Sequence, residues 1–294
     1  MIVRAAISSQ RIARAREAMA VAGIDAMVLS VGTDLPYLIG YEAMPSERLT
    51  MAVFPATGTP RLLVPELEAP RVAIDPEVCQ VQSWGEQERP VDLIAAMLAG
   101  TSTVALGDHT WARFLLALQD RAPLLRFVPA STITAPLRLL KDDGEIALLA
   151  AAGTAADRVA IRLAAARFSG RTERNLGRFV ADALVEESHD TAAFTIVASG
   201  PNGASPHHEP TDRVIERGDT VVVDFGGRIG GYCSDTTRTF SVGEPAGEVA
   251  AAYEVLQRAQ QTGVEAVRPG VTAESIDAAT RRVLDDAGYG RWFI

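Results

Sequence analysis

Through the first half of the chain, short apolar runs alternate with amphipathic stretches. Residues 26–30 (Ala-Met-Val-Leu-Ser), 51–54 (Met-Ala-Val-Phe), 61–64 (Arg-Leu-Leu-Val) and 103–107 (Thr-Val-Ala-Leu-Gly) are too short for helices and nearly continuous in hydrophobicity, which predicts buried strands. Between them, residues 9–22, 91–98 and 111–118 place apolar side chains at helical spacing, the first ending just before Gly23. Strands alternating with helices predict an α/β layer fold for this half. Residues 129–136 hold two prolines and no helical period, and they precede a charged helix start, Lys141-Asp-Asp-Gly-Glu145. A domain boundary is therefore placed near residue 135, giving domains 1–135 and 136–294.

Beyond it the pattern changes. An alanine-rich helix is predicted over 145–168 and a second over 172–187, opened by Thr172 with Asn175 three residues on, an approximation to a capping box. Strands follow, then two further helices over 247–267 and 272–287. Neither an internal repeat nor a low-complexity tract interrupts this order.

At 294 residues and 31.3 kDa the length suits two domains. A composition of 48% hydrophobic and 22% charged residues excludes a disordered or fibrous chain. No apolar stretch reaches the 18 or so residues of a membrane span, and the first ten residues lack the apolar region of a signal peptide, so the expected location is cytoplasmic. Two cysteines, Cys79 and Cys233, are too few and too far apart for a disulfide framework or a cysteine metal cluster. A net charge of −9 and a pI near 5.1 argue against nucleic acid and against anionic membrane as partners. Lys141 is the single lysine among 28 basic residues, a compositional bias toward arginine that carries no chemistry.

Candidate chemistry is concentrated in two segments. Residues 219–240 read as a β-hairpin: a β-rich run, a glycine-flanked turn centred on Ile229-Gly230, and a second β-rich run. With that turn, Asp224 lies directly opposite Asp235, their Cβ atoms roughly 4.5–5.5 Å apart. Val221, Val222 and Val223 before Asp224 and Phe225 after it predict a strand buried on both faces. Like charges facing each other in such a place call for a cation or a shared proton, and a divalent metal meets both demands. The alternative is a register off by one or two, with both aspartates capping the hairpin or meeting arginines. Arg238 is three residues from Asp235 and so points to the opposite face. Spacing alone leaves the two readings open.

The second segment, residues 198–210, holds two glycines, three prolines and two of the four histidines, His207 and His208. A histidine on a constrained loop can donate a hydrogen bond to a developing oxyanion; the alternative is a solvated loop histidine. His109 and His189 carry no functional reading.

Together these segments resemble the metallopeptidase family that contains prolidase, proline aminopeptidase, methionine aminopeptidase and the metal-free relative creatinase, and most of all its prolidase and Xaa-Pro aminopeptidase branch. Ser199-Gly-Pro-Asn-Gly-Ala-Ser-Pro-His-His208 resembles that branch's histidine loop, and Asp224-Phe-Gly-Gly227 with Cys233-Ser-Asp-Thr-Thr-Arg-Thr239 its first two metal ligands. Leu137-Arg-Leu-Leu-Lys-Asp-Asp-Gly-Glu-Ile146 is similar to the interdomain signature and Tyr37-Leu-Ile-Gly-Tyr41 to an amino-domain signature. The resemblance implies an α/β creatinase/prolidase-like amino-terminal domain followed by an α+β "pita-bread" catalytic domain.

It further implies a metal-dependent peptidase that hydrolyses the bond before proline in short peptides, acting as a homodimer with two divalent ions, manganese, cobalt or zinc. Asp224 would bind one ion and Asp235 bridge both; His207 would be the catalytic, substrate-binding histidine, with His208 beside it shaping the loop and the substrate site. Both aspartates argue against a creatinase-like activity. The family's remaining ligands, a histidine and two glutamates, follow beyond the position where residue 294 falls. The expectation is thus a pita-bread domain incomplete at its C-terminal end and inactive alone, or, as the alternative, a non-catalytic peptide- or protein-binding module.

Overall fold

The computed structural model describes residues 2–293. The chain divides into two compact units between Asp142 and Asp143.

In the first unit, six strands form one mixed sheet: β1 (Ala26–Leu29), β2 (Met51–Pro55), β3 (Arg61–Pro65), β4 (Gln80–Trp84), β5 (Thr103–Leu106) and β6 (Arg126–Pro129). Their spatial order is β4-β3-β2-β1-β5-β6, with β2 antiparallel to both neighbours and the other pairs parallel. The side-chain period of two sorts the apolar runs onto two faces. Met27, Leu29, Phe54, Leu62 and Val64 enter a core with the helices α1 (Ile2–Ala22), α2 (Asp34–Ile39) and α5 (Ser131–Leu139). Val28, Met51, Val53, Leu63 and Val104 enter a second core with α3 (Pro90–Met97) and α4 (Ala112–Arg121). The apolar runs are continuous because both faces are covered.

The boundary lies at Asp142, not at 135. The segment read as lacking helical period is α5, whose Ile133, Thr134 and Leu137 are buried despite Pro136 within the helix. Asp34 of α2 accepts from Thr134 Oγ1 at 2.9 Å and from Arg138 at 3.0 Å, and Tyr37 donates to the Leu137 carbonyl. Such long-range contacts, invisible to periodicity, tie α5 to the first unit. Polar residues hid β4: Gln80-Val-Gln-Ser-Trp84 buries only its last side chain.

In the second unit, α6 (Asp143–Ala164) and α7 (Glu173–Glu186) precede β7 (Thr191–Ser199), β8 (Thr220–Ile229), β9 (Tyr232–Cys233) and β10 (Thr236–Ser241), followed by α8 (Gly247–Ala266) and α9 (Ala273–Asp286). Thr172 caps α7 as read, its side chain accepting from the Asn175 N–H at 3.1 Å. The strands form an antiparallel sheet in the order β10-β8-β7, with β9 continuing the hairpin off β8. Val197, Val221, Val223 and Phe225 pack one face of it against Val159, Leu163, Leu176, Val180 and Leu184 of α6 and α7. Helices α8 and α9 share a separate small core of Val255, Ala259 and Leu284. Among the described residues no helix is long and apolar enough to cross a membrane.

Candidate active site

The hairpin turn is Gly230-Gly231, one residue on from the predicted centre. Arg228 pairs with Cys233 and Ile229 with Tyr232. Both turn glycines have positive φ, 57° and 87°, as the tight turn that matches strand twist requires. A turn on Ile229-Gly230 would force a β-branched residue into the left-handed region, so the glycine pair takes the turn and the register shifts.

As a result Asp224 faces Thr237, and Asp235 is not directly opposite it. Asp235 lies between β9 and β10, two residues short of Thr237, and is the diagonal neighbour of Asp224. The two carboxyls still meet. Desolvation, then the charge of Asp224, then the hydrogen bond the pair shares push the Asp235 carboxyl above its ordinary range. Thr237 Oγ1 donates to Asp224 Oδ1 at 2.8 Å and fixes that side chain from the next strand. β8 is not buried on both faces: Val221, Val223 and Phe225 are buried, while Val222 and Asp224 on the other face are half-buried and Asp235 is exposed. Arg238 turns away, as its parity predicts, toward Asp157 at 3.8 Å.

A break in the ladder brings Asp235 to its place. Ser234 N–H donates to the Gly227 carbonyl at 2.9 Å, but the return bond from Gly227 N–H ends on Ser234 Oγ at 3.1 Å instead of on the carbonyl. The freed Ser234 carbonyl lies over Gly226, where a Cβ would come within 2.2 Å of it; only glycine fits. Behind the serine stands His189, 3% exposed, with Nδ1 3.1 Å from the Leu184 carbonyl and Nε2 2.9 Å from Ser234 Oγ. A carbonyl only accepts, so Nδ1 carries hydrogen, and a neutral ring then accepts at Nε2 from the serine hydroxyl. The relay from Gly227 N–H through Ser234 to His189 and Leu184 leaves no donor unmet. Periodicity could not have found it, because an isolated histidine and a serine beside an aspartate carry no pattern.

The histidine loop leaves β7 at Ser199 and returns at β8. His207 is exposed and makes no hydrogen bond among the described residues; His208 is mostly buried, its Nε2 2.9 Å from Glu173. Arg213 clamps the loop's far end, with two bonds to Asp219 at 2.6 and 2.9 Å and one to Ser199 Oγ at 2.6 Å. Donation from Arg213, outweighing burial, holds the Asp219 carboxyl below its ordinary range. Glu173, Arg213 and Asp219 were all missed from sequence: an acidic residue after a helix cap and charges in a polar loop are ordinary surface features until burial singles them out.

Among the described residues no group of three or more His, Cys, Asp or Glu side chains is arranged to hold a metal ion. The aspartate pair itself suits one: two hard oxygen donors side by side, raising each other's energy until a cation joins them. It fits the carboxylate part of a divalent site.

Comparison with known proteins identifies the family. Residues 147–294 match the model of metallopeptidase family M24 and residues 11–140 that of the creatinase/prolidase N-terminal domain. The chain is 44% identical to a probable dipeptidase PepE of Mycobacterium tuberculosis over 99% of its own length and 78% of that protein's. It is 28% identical to an Xaa-Pro dipeptidase of Pyrococcus horikoshii, over 98% of this chain and 80% of the other. A recombinant prolidase from Thermococcus sibiricus superposes with a TM-score of 0.91 at 31% identity, over 97% of this chain and 79% of that one. An α/β creatinase/prolidase-like domain thus precedes an α+β pita-bread domain, and the chain belongs to metallopeptidase family M24.

Proposed function

We propose that this metallopeptidase cleaves the peptide bond before proline in short peptides, with Asp224 and Asp235 as carboxylate ligands of a dinuclear divalent site. The observation that carries the reading is the pair itself: two carboxylates held together on the open face of a sheet, desolvation and the charge of Asp224 pushing the Asp235 carboxyl up. Names of relatives support the substrate class, since an Xaa-Pro dipeptidase and a prolidase are among them.

Each residue has a task in this scheme. Thr237 holds the Asp224 carboxylate and the Ser234 relay holds the backbone beside Asp235, so that the two ligands are placed before an ion binds. Divalent ions at such a pair supply a lowered water pKa and polarisation of the scissile carbonyl; manganese, cobalt and zinc all accept these donors. His207, exposed on its loop, donates a ring N–H to the oxygen that becomes negative as the carbonyl is attacked. Short proline-containing peptides are the partners, in a homodimer.

Calorimetric titration of manganese into the protein, with hydrolysis of an Ala-Pro dipeptide measured in parallel, tests the reading. Asp235→Ala is expected to abolish the manganese binding that the protein shows, and with it any turnover. Manganese affinity unchanged in that variant, or hydrolysis insensitive to a chelator, overturns it. Dipeptide binding with no turnover at saturating manganese favours a pita-bread module that binds peptide without cleaving it.

A further inference from the structure

At the first turn of α7, Glu173 is fully buried, and six hydrogen bonds converge on its carboxylate. Oε1 accepts from Ser199 N–H at 2.8 Å, Ser199 Oγ at 2.7 Å and Asn202 Nδ2 at 3.0 Å. Oε2 accepts from His208 Nε2 at 2.9 Å, Thr211 N–H at 3.1 Å and Thr211 Oγ1 at 2.7 Å. Every donor lies between residues 199 and 211, the segment that carries His207. Burial alone would push this carboxyl up. The bonds from Thr211, His208, Asn202 and Ser199 win, and hold it far below the ordinary carboxylate range. The positive end of the α7 dipole favours the same ionised form.

An ionised carboxylate is acceptor only, so His208 must present a hydrogen on Nε2. Its ring is thereby committed. His207, next in the chain, has no such tether and stays exposed. Ser199 Oγ accepts from Arg213 and so donates its own hydrogen to Glu173, which joins the loop's two anchors into one network.

We infer that Glu173 is the positioning residue of the histidine loop: it ties down both ends and His208, leaving His207 as the imidazole presented to substrate. This rests on the reading of His207 as the substrate histidine. Glu173 does not touch substrate itself, since its oxygens are enclosed and fully engaged by the loop.

Nitrogen-15 NMR of the histidine side chains in the full chain, with amide hydrogen exchange of residues 199–211, tests this in the wild type, Glu173→Gln and Thr211→Val. In the wild type His208 is expected to show a fixed, slowly exchanging Nε2–H and His207 a solvent-averaged ring. Glu173→Gln replaces one acceptor oxygen by a donor, and should speed exchange of the His208 ring proton and of the Ser199 and Thr211 amides by roughly tenfold or more. Thr211→Val removes one hydroxyl, keeps the fold, and should shift the same signals by a smaller factor. A carboxylate that merely stabilised the fold would lower the melting temperature and leave the His208 ring signature in place. Signals within about twofold of wild type in every variant that folds overturn the inference. Addition of Ala-Pro separates it from the functional reading: a His207 signal that ignores the dipeptide while His208 stays locked upholds the role of Glu173 in anchoring the loop and overturns the substrate assignment.

Discussion

The two sheets of this molecule treat the same alternation of side chains in opposite ways. In the first unit both parities are apolar: Met27 and Leu29 point into one core, Val28 and Ala26 into the other, and helices cover each face. In the second, Val221, Val223 and Phe225 fill a core under α6 and α7, while the intervening positions carry Val222 and Asp224 on a face left half-exposed. A face covered by helices has no room for a charged pair, because desolvation is not repaid there. The carboxylates sit where one parity is spared from the core, and candidate chemistry follows from that sparing.

Substitutions can sharpen or break this contrast. The largest effect is expected at Phe225: Phe225→Ala should cost about 3–5 kcal/mol by urea unfolding, as should Phe54→Ala in the first sheet, whereas Val222→Ala on the open face should cost less than about 1 kcal/mol. Equal losses at Val222 and Phe225 would show the open face to be covered after all. Ser234→Ala comes next. It strands the Gly227 N–H and the His189 ring nitrogen in the interior, a penalty of about 1–3 kcal/mol, and should weaken divalent binding in the same calorimetric experiment by freeing Asp235.

Gly231→Ala probes the turn alone, since space around that glycine is open and only its positive φ resists a side chain; a loss of about 1–2 kcal/mol is expected. Smaller again, Asp235→Asn should stabilise the metal-free protein slightly, by under about 1 kcal/mol in urea unfolding, because it removes like charge beside Asp224. A drop instead would mean that the pair does not repel.

Acid provides a separate test of the loop. Glu173 and Asp219 have folded-state values below their unfolded ones, so the unfolded chain binds more protons, and the stabilisation is present above the unfolded values of about 4.3 and about 3.9 and is lost progressively as pH falls through them toward the folded ones. His208, Arg213 and the Asp219 carboxylate are the charged or titratable groups in this network. Protection of the amides of residues 199–211, corrected for the intrinsic pH dependence of exchange, should therefore fall below about pH 4 in the wild type, and much less so in Glu173→Gln.

Much of this architecture was legible in the chain itself. Continuous apolar runs named the central strands of the first sheet, Thr172 named the start of α7, and both halves of the aspartate hairpin were recognisable by composition. Three kinds of feature were not. Pro136 masked α5, because a helix held by Asp34 and a shared core tolerates a proline that local pattern reads as a stop. The hairpin register depended on which two residues took positive φ, and only the Gly230-Gly231 pair did so without strain. Glu173 and His189 had no periodic signal at all.

By itself, then, the amino-acid order determined an α/β unit followed by a second unit of helices and strands, a loop with His207 and His208, and a hairpin bearing Asp224 and Asp235, because propensity and hydrophobic period act over a few residues. Tertiary structure alone decided that the aspartates meet diagonally, that Ser234 and His189 lock the backbone beside Asp235, and that Glu173 takes His208 while His207 stays exposed. The last two of these outcomes depend on groups 26 to 45 residues apart in the chain, Glu173 with Ser199 and His189 with Ser234, being buried against each other, and no local pattern carries that information.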